Sequence, residues 1–160
     1  MGIGFWPYAN CIGLRHRLHS DTPLCFGGLP RVTTLRFELI DRVLEREDNR
    51  LVGIKCLSSA EEYLADHFPG FAVFPGVLML EALVQAGRLL LDESANGQPL
   101  VLCEARNIRY GQMVRPGQTL RVEVKVRKQT DMGWDLDGRG TVGGEVALGG
   151  RFALKPLVAA

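Results

Sequence analysis

A histidine that can take a proton and a glutamate that can give one stand fourteen positions apart, His67 and Glu81, with the pair Pro75-Gly76 between them. His67 belongs to the loop Asp66-His67-Phe68-Pro69-Gly70, and Glu81 to an apolar run that starts at Pro75. Two Pro-Gly pairs, at 69–70 and 75–76, bracket Phe71 to Phe74 and stiffen the approach to that run. A helix starting there would carry unpaired N–H groups and a partial positive charge in its first turn. A base, an acid on a greasy surface and free N–H donors are the three parts that proton abstraction beside a carbonyl requires. Each part also has an ordinary structural reading: a lone loop histidine is usually a surface residue. Glu81, Gln85 and Arg88 fall at i, i+4 and i+7 on one stripe. That stripe reads either as the solvent side of an amphipathic helix or as the lining of a cleft. The adjacent-turn neighbours of Glu81 are Val77, Leu78, Val84 and Gln85, and only Gln85 is polar, so an apolar setting is expected for the acid.

The elements that must hold these residues follow from periodicity. Pro75 to Asp92 reads as a helix with Pro75 in its first turn, apolar on most sides and therefore buried. Before it, Arg36 to Leu44 reads as a strand, Arg46 to Arg50 as a charged turn, and Leu51 to Leu57 as a second strand. In that second strand Val52, Ile54 and Cys56 alternate against Gly53 and Lys55. Ser58 to Phe74 is a connection. After the helix come Val101 to Ile108, Leu120 to Lys128, Trp134 to Val142 and Glu145 to Leu154. In the second of these, Leu120, Val122, Val124 and Val126 face one way and charged residues the other, so one face is wet, as in antiparallel sheets. Gly143-Gly144 is a two-residue hairpin signal. Two strands, one long helix and four strands predict an α+β fold, an antiparallel sheet of about six strands curled around the helix.

Composition limits what such a domain does. The chain has 160 residues, about one domain's worth, with 46% hydrophobic and 23% charged residues and a formal charge of +1. No global field draws it to nucleic acid or an acidic membrane. The longest apolar run, Val77 to Leu91, is interrupted by Glu81, Gln85 and Arg88 and falls short of the ~20 residues of a span. Cys11, Cys25, Cys56 and Cys103 form no C-x-x-C pair, which leaves reduced thiols in a cytoplasmic protein as the expectation. His16 and His19 lack a third ligand nearby, so no metal site is expected. Residues 1–34 are irregular, broken by Pro7, Pro23, Pro30 and Gly27-Gly28. They read as an N-terminal arm, or as upstream translation apart from the working domain at 35–156. A chain starting at Thr34 is expected to fold and act.

The stretch His67-Phe-Pro-Gly-Phe-Ala-Val-Phe-Pro-Gly-Val-Leu-Met-Leu-Glu81-Ala-Leu-Val-Gln85 resembles the signature of the hotdog-fold 3-hydroxyacyl-acyl carrier protein dehydratases of fatty acid synthesis. Leu39-Ile-Asp-Arg-Val43 is similar to that family's first strand, and Arg109-Tyr-Gly-Gln-Met-Val-Arg-Pro-Gly117 to its middle segment. The resemblance covers roughly residues 35–155. It implies the hotdog fold, and dehydration of a (3R)-3-hydroxyacyl thioester on acyl carrier protein to the trans-2-enoyl product, with no metal or redox cofactor. It implies His67 as the base at C2, Glu81 as the acid for the departing hydroxyl, and the Gly76 N–H as a donor to the thioester oxygen. Gln85, Phe71 and Phe74 would complete the substrate-binding set. Base and acid would come from opposite subunits of a homodimer, with a trimer of dimers as the larger assembly. The chain departs from the pattern at Asp66, Phe71 and Phe74 and over Val32-Thr33-Thr34, all apart from the catalytic pair. Two other activities fit the same cleft: a hotdog thioesterase or an acyl-coenzyme A hydro-lyase. A non-catalytic acyl-thioester binder is a third reading, but a binder needs neither His67 nor Glu81.

Overall fold

The computed structural model describes residues 38–157. The stretch 1–34, read above as an arm, lies outside the described residues. Six strands form one antiparallel sheet: β1 (Arg42–Glu47), β2 (Arg50–Cys56), β3 (Leu100–Tyr110), β4 (Thr119–Thr130), β5 (Gly133–Val142) and β6 (Glu145–Pro156). Their spatial order is β1-β2-β4-β5-β6-β3, so the chain leaves near one edge after β2 and returns at the other in β3. The long helix α1 (Gly76–Leu91) makes that crossing and touches five of the strands on the way. This is the expected α+β hotdog arrangement.

The helix lies close on the sheet because glycines meet it. A Cβ on Gly138 of β5 would stand 2.7 Å from Leu83 Cδ1, and one on Gly87 of the helix would stand 3.1 Å from Leu154 Cδ1 and 3.2 Å from Phe152 Cε2. Around these contacts Leu83, Leu136, Phe152 and Leu154 are fully buried, with Leu120, Val122 and Val124 of β4 alongside. Each such side chain contributes about 1.5–3 kcal/mol by leaving water. The alternation read on β4 therefore holds. So does the Gly143-Gly144 turn, whose φ values of 57° and 92° give the primed geometry that matches strand twist.

Four expectations need correction. First, of the strand expected over Arg36–Leu44, residues 36–37 lie outside the described residues, and among the described ones the strand begins at Arg42. Residues 39–41 are tied down otherwise: Leu39 N–H donates to Gln85 Oε1 at 2.8 Å, and the Asp41 carboxylate accepts from Cys56 N–H at 2.6 Å. Second, Arg46 and Glu47 belong to β1 and Arg50 to β2, leaving Asp48 and Asn49 as the turn. The charges that suggested a longer turn are cross-strand partners, with Arg50 bonded to Glu45 at 2.7 Å and to Glu123 at 2.9 Å. Third, the core side of β2 is Leu51, Gly53 and Lys55, in register with Val124, Val122 and Leu120. Val52 is equally buried, but its register partner is Glu123. Fourth, the helix is not covered on nearly all sides. Pro75 is its N-cap, Gly76 its first residue, and Val77 and Leu89 stay 72% and 42% exposed.

Lys55 is the one buried ammonium of the described residues. It pairs with Glu61 at 2.9 Å and Asp41 at 3.1 Å, joining β2 to the residues before β1 and to the loop that leads to His67. Burial alone would discourage its charge, but the Glu61 and Asp41 carboxylates outweigh burial and hold its pKa above the ordinary lysine value. Its stabilising contribution is therefore complete below the unfolded value of about 10.4 and fades as pH rises through the higher folded value. In urea unfolding, the stability gap between wild type and Lys55→Met should stay constant up to about pH 10 and narrow above it. A gap that did not change with pH would exclude this account.

Candidate functional site

The His67 loop is shaped by its own backbone. Phe68 and Phe71 exchange N–H···O bonds at 3.1 and 2.9 Å around Pro69-Gly70. Gly70 has φ 77°, the position that requires glycine in a type II turn, with proline ideal before it. One step outward, Val73 N–H donates to His67 O at 3.0 Å, and His67 Nδ1 lies 3.1 Å from Val73 O. Phe74 N–H then anchors the exit on Val114 O at 2.8 Å. The ring of His67 stacks on Phe68 with centroids 4.2 Å apart. A carbonyl only accepts, so Nδ1 carries the hydrogen, and the neutral ring keeps its lone pair on Nε2. In this tautomer Nε2 is the ring nitrogen able to accept a proton.

At the helix start, Leu78 and Met79 N–H both reach back to Pro75 O at 3.0 Å. The N–H groups of Gly76 and Val77 stand ahead of the helical ladder. Residue 76 also lies close against another element. Its missing Cβ would sit 2.9 Å from Cε1 of Tyr110, at the end of β3. Tyr110 also lines an open groove of about 820 Å³ with Arg109, Lys125, Arg139 and Val146, a groove whose walls include neither His67 nor Glu81.

Glu81 follows in the second turn, about one-third exposed. Its Oε1 accepts from Gln85 Nε2 at 3.3 Å and from Arg88 at 3.0 Å. Gln85 is buried, and because its Oε1 takes the Leu39 N–H, its amide nitrogen must face Glu81. Arg88 bridges onward, its Nε donating to Leu100 O at 2.9 Å. The setting of Glu81 is thus more polar than the neighbouring turns suggested. Arg88 is two turns away, but its long side chain leans toward the helix N-terminus and reaches back. The i+7 spacing on the Glu81 stripe was the signal for it.

The remaining candidates separate. Phe74 is buried and meets the Tyr63 ring at 5.5 Å. Phe71 is 45% exposed beneath the Arg115 guanidinium, 4.4 Å from its ring centre, a cation–π contact. Gly76, Glu81 and Gln85 share one helix. His67 sits in the loop that feeds it, and among the described residues no hydrogen bond joins His67 to Glu81 within the chain. The sequence reading missed Tyr110 and Arg115, whose contacts come from β3 and from the turn before β4. The carbonyl of Val73 orders a checkable state: nitrogen NMR of the neutral His67 ring should find Nδ1 protonated and Nε2 bare. The opposite tautomer would remove the base from its proposed orientation.

Comparison with known proteins gives the family. A family model described as the FabA-like domain matches residues 32–151. The 3-hydroxyacyl-[acyl-carrier-protein] dehydratase FabZ of Geobacillus thermodenitrificans is 40% identical over 113 residues, covering 69% of this chain and 78% of that protein. The FabZ of Caulobacter sp. strain K31 is 37% identical over 122 residues, covering 73% of this chain and 75% of that protein. Among solved structures, the dehydratase heterocomplex ApeI:P of Xenorhabdus doucetiae matches with a TM-score of 0.64 at 17% identity, over 76% of this chain and 84% of that chain. A hypothetical thioesterase with coenzyme A from Streptococcus pneumoniae matches with a TM-score of 0.59 at 13% identity, over 72% of this chain and 84% of that chain. The backbone is thus shared by proteins of different description, whereas the sequence match is specific: the chain belongs to the FabA-like domain family.

Proposed function

We propose that this chain is a hydro-lyase that dehydrates (3R)-3-hydroxyacyl-acyl carrier protein to the trans-2-enoyl thioester. The observation that carries the reading is the pair of oriented side chains around one helix start: His67 with Nε2 bare and Glu81 pinned through Oε1. In the reaction, His67 Nε2 takes a proton from C2. The C–H electron pair becomes the C2–C3 double bond. The C3–O bond breaks and the hydroxyl leaves as water with a proton from Glu81. Gly76 N–H, at the positive end of α1, receives the charge that builds on the thioester oxygen. Gln85 holds Glu81, while Phe71 and Phe74 shape the approach of the acyl chain. No metal or redox partner takes part in this scheme. The curated relatives named above are dehydratases, so hydrolysis and simple binding are not favoured.

The working unit in this proposal is a homodimer, with a trimer of dimers as the larger form. Within one chain no bond brings His67 to Glu81, and Val77, Leu89 and, on edge strand β3, Leu102 leave apolar surface open. A second copy would cover this surface and supply the complementary half of the site. No helix of the described residues is long and apolar enough to cross a membrane, and the proposed setting is the cytoplasm with a carrier-borne substrate.

Absorbance of the conjugated enoyl thioester follows turnover directly. His67→Ala and Glu81→Gln should each lower kcat by about 10²–10⁴ with the fold intact. Full turnover by either folded variant would remove that residue from the mechanism. Light scattering of the active protein should give at least twice the 17.6 kDa chain mass, and a fully active monomer would refute the shared site.

A further inference from the structure

We propose that Arg88 is a positioning residue for proton transfer at Glu81, fixing which carboxyl oxygen gives up the proton and stabilising the charge left behind. The inference rests on the reading of Glu81 as the acid. Two donors converge on the same oxygen: Arg88 at 3.0 Å and Gln85 Nε2 at 3.3 Å both address Oε1. Neither can accept a proton there, since a guanidinium has only donors and the Gln85 carbonyl is already committed to Leu39 N–H. The transferable proton of Glu81 is therefore assigned to Oε2, the oxygen that neither of these bonds addresses.

Arg88 is itself held. Its Nε donates to the Leu100 carbonyl at 2.9 Å, where β3 begins, so the guanidinium is clamped between helix and sheet. A clamped donor needs no reorganisation when charge appears beside it. As the C3–O bond breaks, the O–H bond at Oε2 breaks too, its electrons stay on Glu81, and the proton leaves in the product water. His67 has meanwhile gained the C2 proton, so the step balances as one substrate giving one enoyl thioester and one water. The negative charge grows on a carboxyl group already facing a cation, and charge-assisted bonds are the strong ones. This interaction strengthens as negative charge develops on Glu81, so it acts on kcat rather than on substrate binding.

Kinetics of Arg88→Met, Arg88→Lys and Glu81→Gln, singly and as Glu81→Gln/Arg88→Met, test this with the enoyl absorbance assay. Arg88→Met should lower kcat by about 10- to 100-fold, the scale of one charged hydrogen bond, with KM nearly unchanged. Arg88→Lys should recover only part, because an ammonium cannot hold Leu100 O and Glu81 in one rigid fork. In the Glu81→Gln background Arg88→Met should cost nothing more. Should Arg88→Met fail to fold, Arg88→Ala with added guanidinium, at sub-denaturing concentration, replaces it, and rescue of kcat is expected. Wild-type kcat in a folded Arg88→Met protein, a rise in KM alone, absence of rescue, or an equal loss in the Glu81→Gln background would overturn the inference. An active Glu81→Gln enzyme would instead overturn the reading of Glu81 itself.

Discussion

Every placement in the site depends on how closely α1 can approach the sheet. Gly138 leaves room for Leu83, and Gly87 lets the helix settle on Phe152 and Leu154. With these contacts the helix has one depth and one rotation, because cores pack densely and tolerate little displacement. That rotation puts Met79, Leu83, Ala86 and Leu90 inward and leaves Glu81 and Arg88 on the half-open flank. The polarity of the stripe then follows from the packing opposite it. The helix start is fixed by the same contacts, and with it the donors at Gly76.

A chain of polar contacts extends from this placement. Leu39 N–H, the Gln85 amide, the Glu81 carboxyl, the Arg88 guanidinium and the Leu100 carbonyl are linked in order. Its ends are backbone groups beside β1 and on β3, and its middle rides on the helix. Buried polar groups require partners, and here each supplies the next. Glu81 is thus held from two sides of the fold, while His67 is held within a single turn of loop. The difference reflects sequence distance: a Pro-Gly turn organises His67 within seven residues, but Glu81 needs partners from the helix and from backbone on either side of it.

Legibility in the sequence followed the same division. Local rules carried far: alternation marked β4, a double glycine marked the β5–β6 turn, and an apolar run after Pro75 marked α1 within a residue. The catalytic candidates were legible because both lie in one short segment with a recognisable interval. What was not legible came from partners remote in sequence. Arg50 looked like a turn residue because Glu123, its partner, is 73 positions away. Lys55 looked like an outward residue because Asp41 and Glu61 surround it only after folding. Tyr110 could not be tied to Gly76 before β3 was known to end there.

That last contact gives one glycine two obligations. Gly76 presents its N–H at the mouth of the helix and also yields space to a ring carried by the strand at the sheet's edge. Positions 76 and 110 are therefore a single steric unit although 34 residues separate them. Bulk added at 76 would require the Tyr110 ring to shift. Remodelling of the sheet edge at Tyr110 would reach the first residue of α1 through this ring.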